Sequence, residues 1–132
     1  MRIYLAASFP RLMEMREKGL ELEEMGGKIS SRWIKRDPDM EDDKLSLEES
    51  ILVALEDWVD LFNSDLVVMF TEVPSKSKGG RHTEYGMALA LGKKIAIVGP
   101  RENIFQRLPI TDHFSDWSLF KKNFFVYKNI CS

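Results

Sequence analysis

The sequence predicts a three-layer, doubly wound α/β domain, Rossmann-like or flavodoxin-like, built on a mostly parallel five-stranded sheet. Two observations carry that expectation. The short apolar runs at residues 3–7, 65–70 and 94–98 are near-continuous rather than alternating, which is the pattern of strands buried on both faces of a parallel sheet. Long segments with helical apolar spacing separate them, so strand and helix alternate along the chain. At 132 residues the chain can bury one core but not two, and residues 1–132 read as a single domain.

The first strand, residues 3–7, ends at Ser8, and Pro10 follows where a first helical turn tolerates proline. Leu12, Met15, Leu22 and Met25 give the first helix its stripe, and Gly26 and Gly27 stop it. Residues 28–33 have the β-branched and aromatic character of a second strand. The polar stretch after it holds Asp37, Asp39, Glu41, Asp42 and Asp43. It lacks the glycine and the closing glutamate of a calcium-binding loop, which leaves a mobile acidic loop.

Ser46 and Glu49 have the spacing of a capping box, and Ile51, Leu55, Trp58, Val59 and Phe62 then share one face of a long helix ending near Asn63. Periodicity puts Asp57 away from that face, on a side shared with Val53, Ala54 and Leu61. This second stripe predicts cover by another element or by a second subunit, and hence a homodimer or larger assembly. Residues 65–70 form the third strand, residues 74–80 a polar loop, then comes a helix ending at Gly92, and residues 94–98 the fourth strand, closed by Gly99 and Pro100. Residues 110–114 are the favoured fifth strand, with Ser115 capping a helix through Lys122; residues 124–127 are the alternative. Ligands of such sheets bind at the carboxyl ends of the strands, where Ser8, Trp33, Thr71 and Gly80 fall.

Composition narrows the partners. A formal charge of -2 and a pI near 5.7 supply no basic field for duplex nucleic acid. No apolar run reaches the length of a membrane span or of a signal peptide's apolar region. The lone Cys131 has no internal disulfide partner, so a reducing cytoplasmic setting is expected. His113 and Cys131 lack ligand partners at metal spacing, and neither a P-loop nor a dinucleotide fingerprint is present, so neither metal nor cofactor is predicted.

Chemistry concentrates in the run from Gly79 and Gly80 through Arg81, His82 and Thr83 to Glu84. The glycines let a ligand approach the backbone, and a glutamate in the first turn of the following helix would be held ionised by the helix dipole. A glutamate there also serves simply to complement the dipole. Arg81 and His82, with Lys76 and Lys78 nearby, are either ligands of a 5′-phosphate or part of a solvated loop. Ser8 either presents its hydroxyl to a sugar or phosphate or caps the first helix. Arg32 and Trp33 close the second strand, and Trp33 stacks on a base or packs in the core.

Three segments together resemble the nucleoside 2-deoxyribosyltransferase family, including related deoxynucleoside monophosphate N-glycosidases. They are Tyr4-Leu5-Ala6-Ala7-Ser8, Asp57 eight positions before Asp65-Leu66-Val67-Val68, and the run from Gly79 to Leu89. The similarity covers residues 1–100 and is most specific around Glu84; one departure is Ala7, where the family usually has glycine. The resemblance implies that Tyr4 positions Glu84, that Glu84 attacks the anomeric carbon of a 2-deoxyribose, and that Asp57 serves the base and sugar.

That chemistry is coherent in its own right. Breaking a bond from nitrogen to an anomeric carbon passes through an oxocarbenium-like state, which one carboxylate captures as a covalent ester while a second carboxyl, roughly 5 Å away, protonates the departing base. The expected ligand is a small deoxynucleoside or deoxynucleotide. Three alternatives stand at this point: transfer of the sugar to another base, hydrolysis of a deoxynucleoside monophosphate, and nucleotide binding without turnover.

Overall fold

Strands β1 (Arg2–Ala6), β2 (Lys28–Ile29), β3 (Leu66–Phe70), β4 (Lys94–Val98) and β5 (Thr111–Phe114) form one sheet in the order β2-β1-β3-β4-β5, parallel throughout. The computed structural model describes residues 1–72 and 79–131, so Lys76 and Lys78 lie outside the described residues. All five residues of β3 are buried, as their unbroken apolar run requires of a central strand. The chain leaves β1 toward one edge and returns to β3 on its other side, with Tyr4 beside Val67 in the register. The carboxyl ends of β1 and β3 therefore flank the point where strand order reverses, which is where an open α/β sheet forms its crevice.

Helices cover both sides of the sheet. Helix α1 (Leu12–Glu24) follows a 3₁₀ turn over Phe9–Arg11 and buries Leu12, Met15 and Leu22. It shares its side with α4 (Trp117–Lys122) and α5 (Phe124–Cys131): Glu21 accepts hydrogen bonds from Trp117 Nε1 at 2.8 Å and Lys121 Nζ at 3.0 Å. Helix α2 (Leu47–Phe62) packs with α3 (Gly80–Ala90). The Ser46 and Glu49 capping box forms as its spacing predicts, closing two of the helix's free N–H groups. Among the described residues no helix is long and apolar enough to cross a membrane.

Three expectations need correction, and the favoured placement of the fifth strand holds. The second strand stops at Ile29, because the edge of β1 is taken by side chains instead of backbone: Leu5 N–H donates to Ser31 Oγ at 3.1 Å, and Trp33 Nε1 donates to the Leu5 carbonyl at 2.7 Å. Arg32–Lys35 turns into a 3₁₀ helix as a result. The fifth strand is Thr111–Phe114, and the alternative segment is helical. The cap of α4 is Asp116, which accepts from Leu119 N–H at 2.9 Å, and not Ser115. On α2, Leu61 joins the core and Asp60 is buried beside it, whereas Ile51, Leu55, Trp58, Val59 and Phe62 face outward and are about half exposed. The long apolar stripe is therefore left uncovered, and of the second stripe Leu61 is covered by the core, Val53 only in part, and Ala54 is exposed.

Candidate active site

One cleft opens at the carboxyl end of the sheet. It is lined by the loop after β1 (Ala7, Ser8, Phe9 and Pro10), by Trp33 and Arg36 beyond β2, by Glu41 and Asp42, by Asp57 of α2, and by Gly80, Arg81 and Glu84 of α3. Tyr4 is not a lining residue; it is fully buried on β1, near enough to Glu84 and Asp57 to feel both charges. Of the residues expected from sequence, Ser8, Trp33, Asp57, Gly80, Arg81 and Glu84 thus line one cavity. Arg32, Gly79 and His82 do not.

Glu84 is the fifth residue of α3, a turn further from the helix start than the sequence indicated. The dipole falls off within the first turn, so it does not govern this carboxyl. Burial does. The residue as a whole is half-buried, but Oε2 is closed to solvent and has no hydrogen-bond partner among the described residues. Desolvation pushes the carboxyl up to about 8; Tyr4 pulls it down, and the charges of Asp57 and Asp42 raise it further. The Tyr4 hydroxyl is likewise buried without a hydrogen-bond partner, and burial together with the Glu84 charge raises it well above the usual tyrosine value. The two groups shift each other, and neither Tyr4 Oη nor Glu84 Oε2 meets a partner at full hydrogen-bonding geometry among the described residues.

Asp57 reaches the cleft because α2 turns its polar side inward. Burial raises its carboxyl to about 7; Arg36 opposes the rise, while Asp60, Glu56 and Asp42 add to it. One turn on, Asp60 is held by Arg32, which donates to it from its backbone N–H at 2.9 Å and from Nε at 3.0 Å, and forms an ion pair through Nη2 at 2.8 Å. Arg32 is consequently a tether between α2 and the 3₁₀ turn that carries Trp33, rather than a lining residue. Trp33 is buried against Phe9 with ring centroids 6.4 Å apart and lines the cleft.

The expected loop cations are rearranged. Gly79 caps α3 at φ 104°, a left-handed conformation that glycine adopts without strain, and helix begins at Gly80. Arg81 and His82 are thus helical, not loop residues. The Arg81 side chain is fully buried and paired with Glu102, whose backbone N–H is in turn held by Gln106 Oε1 at 2.7 Å. The guanidinium is thus paired with a carboxylate while it lines the cleft. The imidazole of His82 has Nδ1 buried without a hydrogen-bond partner among the described residues. Ser8 makes no capping bond; it donates to Glu72 Oε1 at 2.8 Å.

Phe9, Pro10, Arg36, Glu41 and Asp42 line the cleft without having been singled out from sequence. A signal existed for the last three. They follow the carboxyl end of the second strand, the end that faces ligands in this architecture. Within the acidic stretch, expected as a loop, Asp42–Lys44 folds as a 3₁₀ turn at the cleft.

Comparison with solved structures gives matches over nearly the whole chain. A 2-deoxyribosyltransferase from Bacillus psychrosaccharolyticus superposes with a TM-score of 0.71 at 22% identity, over 92% of this chain and 90% of that one. The chain has the nucleoside 2-deoxyribosyltransferase fold. The CMP N-glycosidase BcmB of Clostridium botulinum also matches, with a TM-score of 0.60 at 20% identity over 94% of this chain and 98% of its own. No protein-family model and no curated protein matches the sequence. Both solved neighbours act on N-glycosidic bonds of nucleosides or nucleotides, and in this fold the cleft holding Glu84 and Asp57 lies at the point where strand order reverses.

Proposed function

We propose that the protein is an enzyme that cleaves the N-glycosidic bond of a 2′-deoxynucleoside through a deoxyribosyl ester on Glu84 and transfers the sugar to another base. The observation that carries this proposal is the pair of buried atoms with no hydrogen-bond partner at full geometry among the described residues, Tyr4 Oη and Glu84 Oε2, the latter on a residue that lines a cleft with Asp57. Orphaned polar groups of this kind are costly to a protein that only binds, and they concentrate where chemistry occurs.

In the first half-reaction Glu84 attacks C1′ while the bond from C1′ to the base nitrogen breaks. The electron pair leaves with the base, and Asp57 supplies the proton that neutralises it. In the second half, a nitrogen of the incoming base attacks C1′, the ester bond breaks back to Glu84, and Asp57 takes the proton. Burial raises Glu84 to about 8 and Asp57 to about 7, so a proton that the pair shares must sit on Asp57, and not on Glu84, for the attack to proceed. The Tyr4 hydroxyl donates to the Glu84 carboxylate as the ester forms and breaks, fixing which oxygen attacks.

Water in place of the second base would make the protein a hydrolase, and the likeness to a CMP N-glycosidase favours that as the second reading. A monophosphate substrate is less well supported, since Arg81 is committed to Glu102. The protein acts as a homodimer, with the outward stripe of α2 around Trp58 as the interface, and a reducing cytoplasmic setting suits its single cysteine. Incubation with each deoxynucleoside and its monophosphate, with and without an acceptor base, tests these assignments by chromatography of the free base. Base exchange is the expected result. Release of free base that is indifferent to acceptor would assign hydrolysis, and no release from any substrate would overturn the proposal.

A further inference from the structure

Arg36 is built into the cleft more firmly than a surface arginine. Its backbone is pinned from two directions: its N–H donates to the Trp33 carbonyl at 3.1 Å, and its carbonyl accepts from Arg16 Nη2 at 2.5 Å. The guanidinium lies over the Phe9 ring, 4.8 Å from its centroid, and the side chain is only 17% exposed. Nη2 donates to the Met40 carbonyl at 3.0 Å and pairs with Asp42 at 3.5 Å. Nε and Nη1 make no hydrogen bond to any described residue. Arg81, the other arginine lining the cleft, is turned to Glu102.

A flat guanidinium held against an aromatic ring, with donors uncommitted and no capacity to accept, recognises acceptor atoms in its own plane. Its place is on the Asp57 side of the cleft, where its charge is felt by that carboxyl. Resting on the assignment of Asp57 as the acid for the departing base, we propose that Arg36 is the specificity-determining residue for the base, donating to a ring carbonyl and thereby selecting oxo-bearing bases (cytosine, uracil, thymine, guanine, hypoxanthine) over adenine. When the C1′–N bond breaks, the electron pair delocalises onto such a carbonyl oxygen. A fixed cation there stabilises the leaving group more in the transition state than in the ground state. Adenine has no carbonyl to receive it.

The test uses the full chain as wild type, Arg36→Met and Arg36→Lys, with thermal melts to establish that each variant is folded. Release of base from deoxyadenosine is compared with release from the five oxo-bearing deoxynucleosides. In parallel, binding of the free bases to the Glu84→Gln protein, with and without Arg36→Met, is followed by tryptophan fluorescence. Wild type should favour oxo-bearing bases by about tenfold or more in kcat/KM, the worth of one hydrogen bond to a charged group. Arg36→Met should erase that preference, and Arg36→Lys, which keeps the charge but loses the planar fork, should restore only part of it. A preference that is absent in wild type, or unchanged in Arg36→Met while base is still released, overturns the role of Arg36 and leaves the reaction standing. Arg36-dependent selective binding without release from any nucleoside does the reverse. If the bases neither bind nor are released, both assignments fall.

Discussion

Replacing Arg81 with alanine removes the partner of a buried carboxylate. The Arg81 side chain has no exposure and that of Glu102 only 7%, and the neighbouring Gln106 Oε1 is engaged with the Glu102 backbone and cannot neutralise its charge. Leaving a buried charge uncompensated costs about 3 to 5 kcal/mol. At about 3 °C per kcal/mol for a domain of this size, Tm should fall by roughly 10 to 15 °C. The assay is thermal unfolding by circular dichroism at pH 7 for wild type, Arg81→Ala, Glu102→Ala and the double variant Arg81→Met with Glu102→Leu. The double variant should melt above both single variants, because it removes both charges and refills the space with apolar side chains. If Arg81→Ala melts within about 2 °C of wild type and instead weakens monophosphate binding alone, the guanidinium is a ligand group and the reasoning from the buried pair is wrong.

Three further outcomes follow from the same geometry. The folded-state value of Glu84, about 8, lies above its ordinary 4.5, so the folded protein holds more protons than the unfolded chain between those values and loses stability as pH rises through them. Glu84→Gln should therefore stabilise the protein, by on the order of a few kcal/mol at pH 9, with the gain gone near pH 4; denaturant melts at both pH values check it, and an equal gain at both would contradict the buried-carboxyl assignment. Asp57→Asn should slow base release by about 10² to 10⁴, with most of the loss recovered on a deoxyriboside whose leaving group needs no proton; an equal loss on both substrates would remove its role as acid. Light scattering should report a dimer at micromolar concentration and a monomer for Trp58→Glu. A wild-type monomer would leave the α2 stripe without a partner.

The sheet was legible because its central strands are nearly pure apolar runs: residues 65–70 and 94–98 contain little else, and they became β3 and β4. The capping box at Ser46 was legible for a similar reason, since both of its bonds are local in sequence. What escaped was set by contacts between distant residues. The second strand was cut short by Ser31 and Trp33 bonding to Leu5, pairings across 26 and 28 positions that composition does not reveal. Arg81 beside two glycines looked like a loop cation because its partner, Glu102, lies 21 positions further on.

The α2 helix shows a different limit. Its hydrophobic stripe is real, but periodicity says only that Ile51, Leu55, Trp58 and Phe62 lie together, and not whether the core or another molecule covers them. Asp57 was found through the family resemblance, and its placement inward depends on Asp60 anchoring the same face to Arg32. Glu84 and Tyr4 were visible from sequence as residues, but that Glu84 Oε2 and Tyr4 Oη are closed to solvent is a property of the assembled fold.

The most direct test of the central claim is to trap the ester itself. Wild-type protein mixed with a reactive 2′-deoxynucleoside, quenched in acid within the first turnover and digested, should yield the peptide containing Glu84 heavier by one deoxyribosyl group. Fragmentation should place the added mass on that side chain, and Glu84→Ala should give neither adduct nor released base. Turnover with no adduct on any peptide, or undiminished base release by a folded Glu84→Ala protein, would contradict nucleophilic catalysis by Glu84.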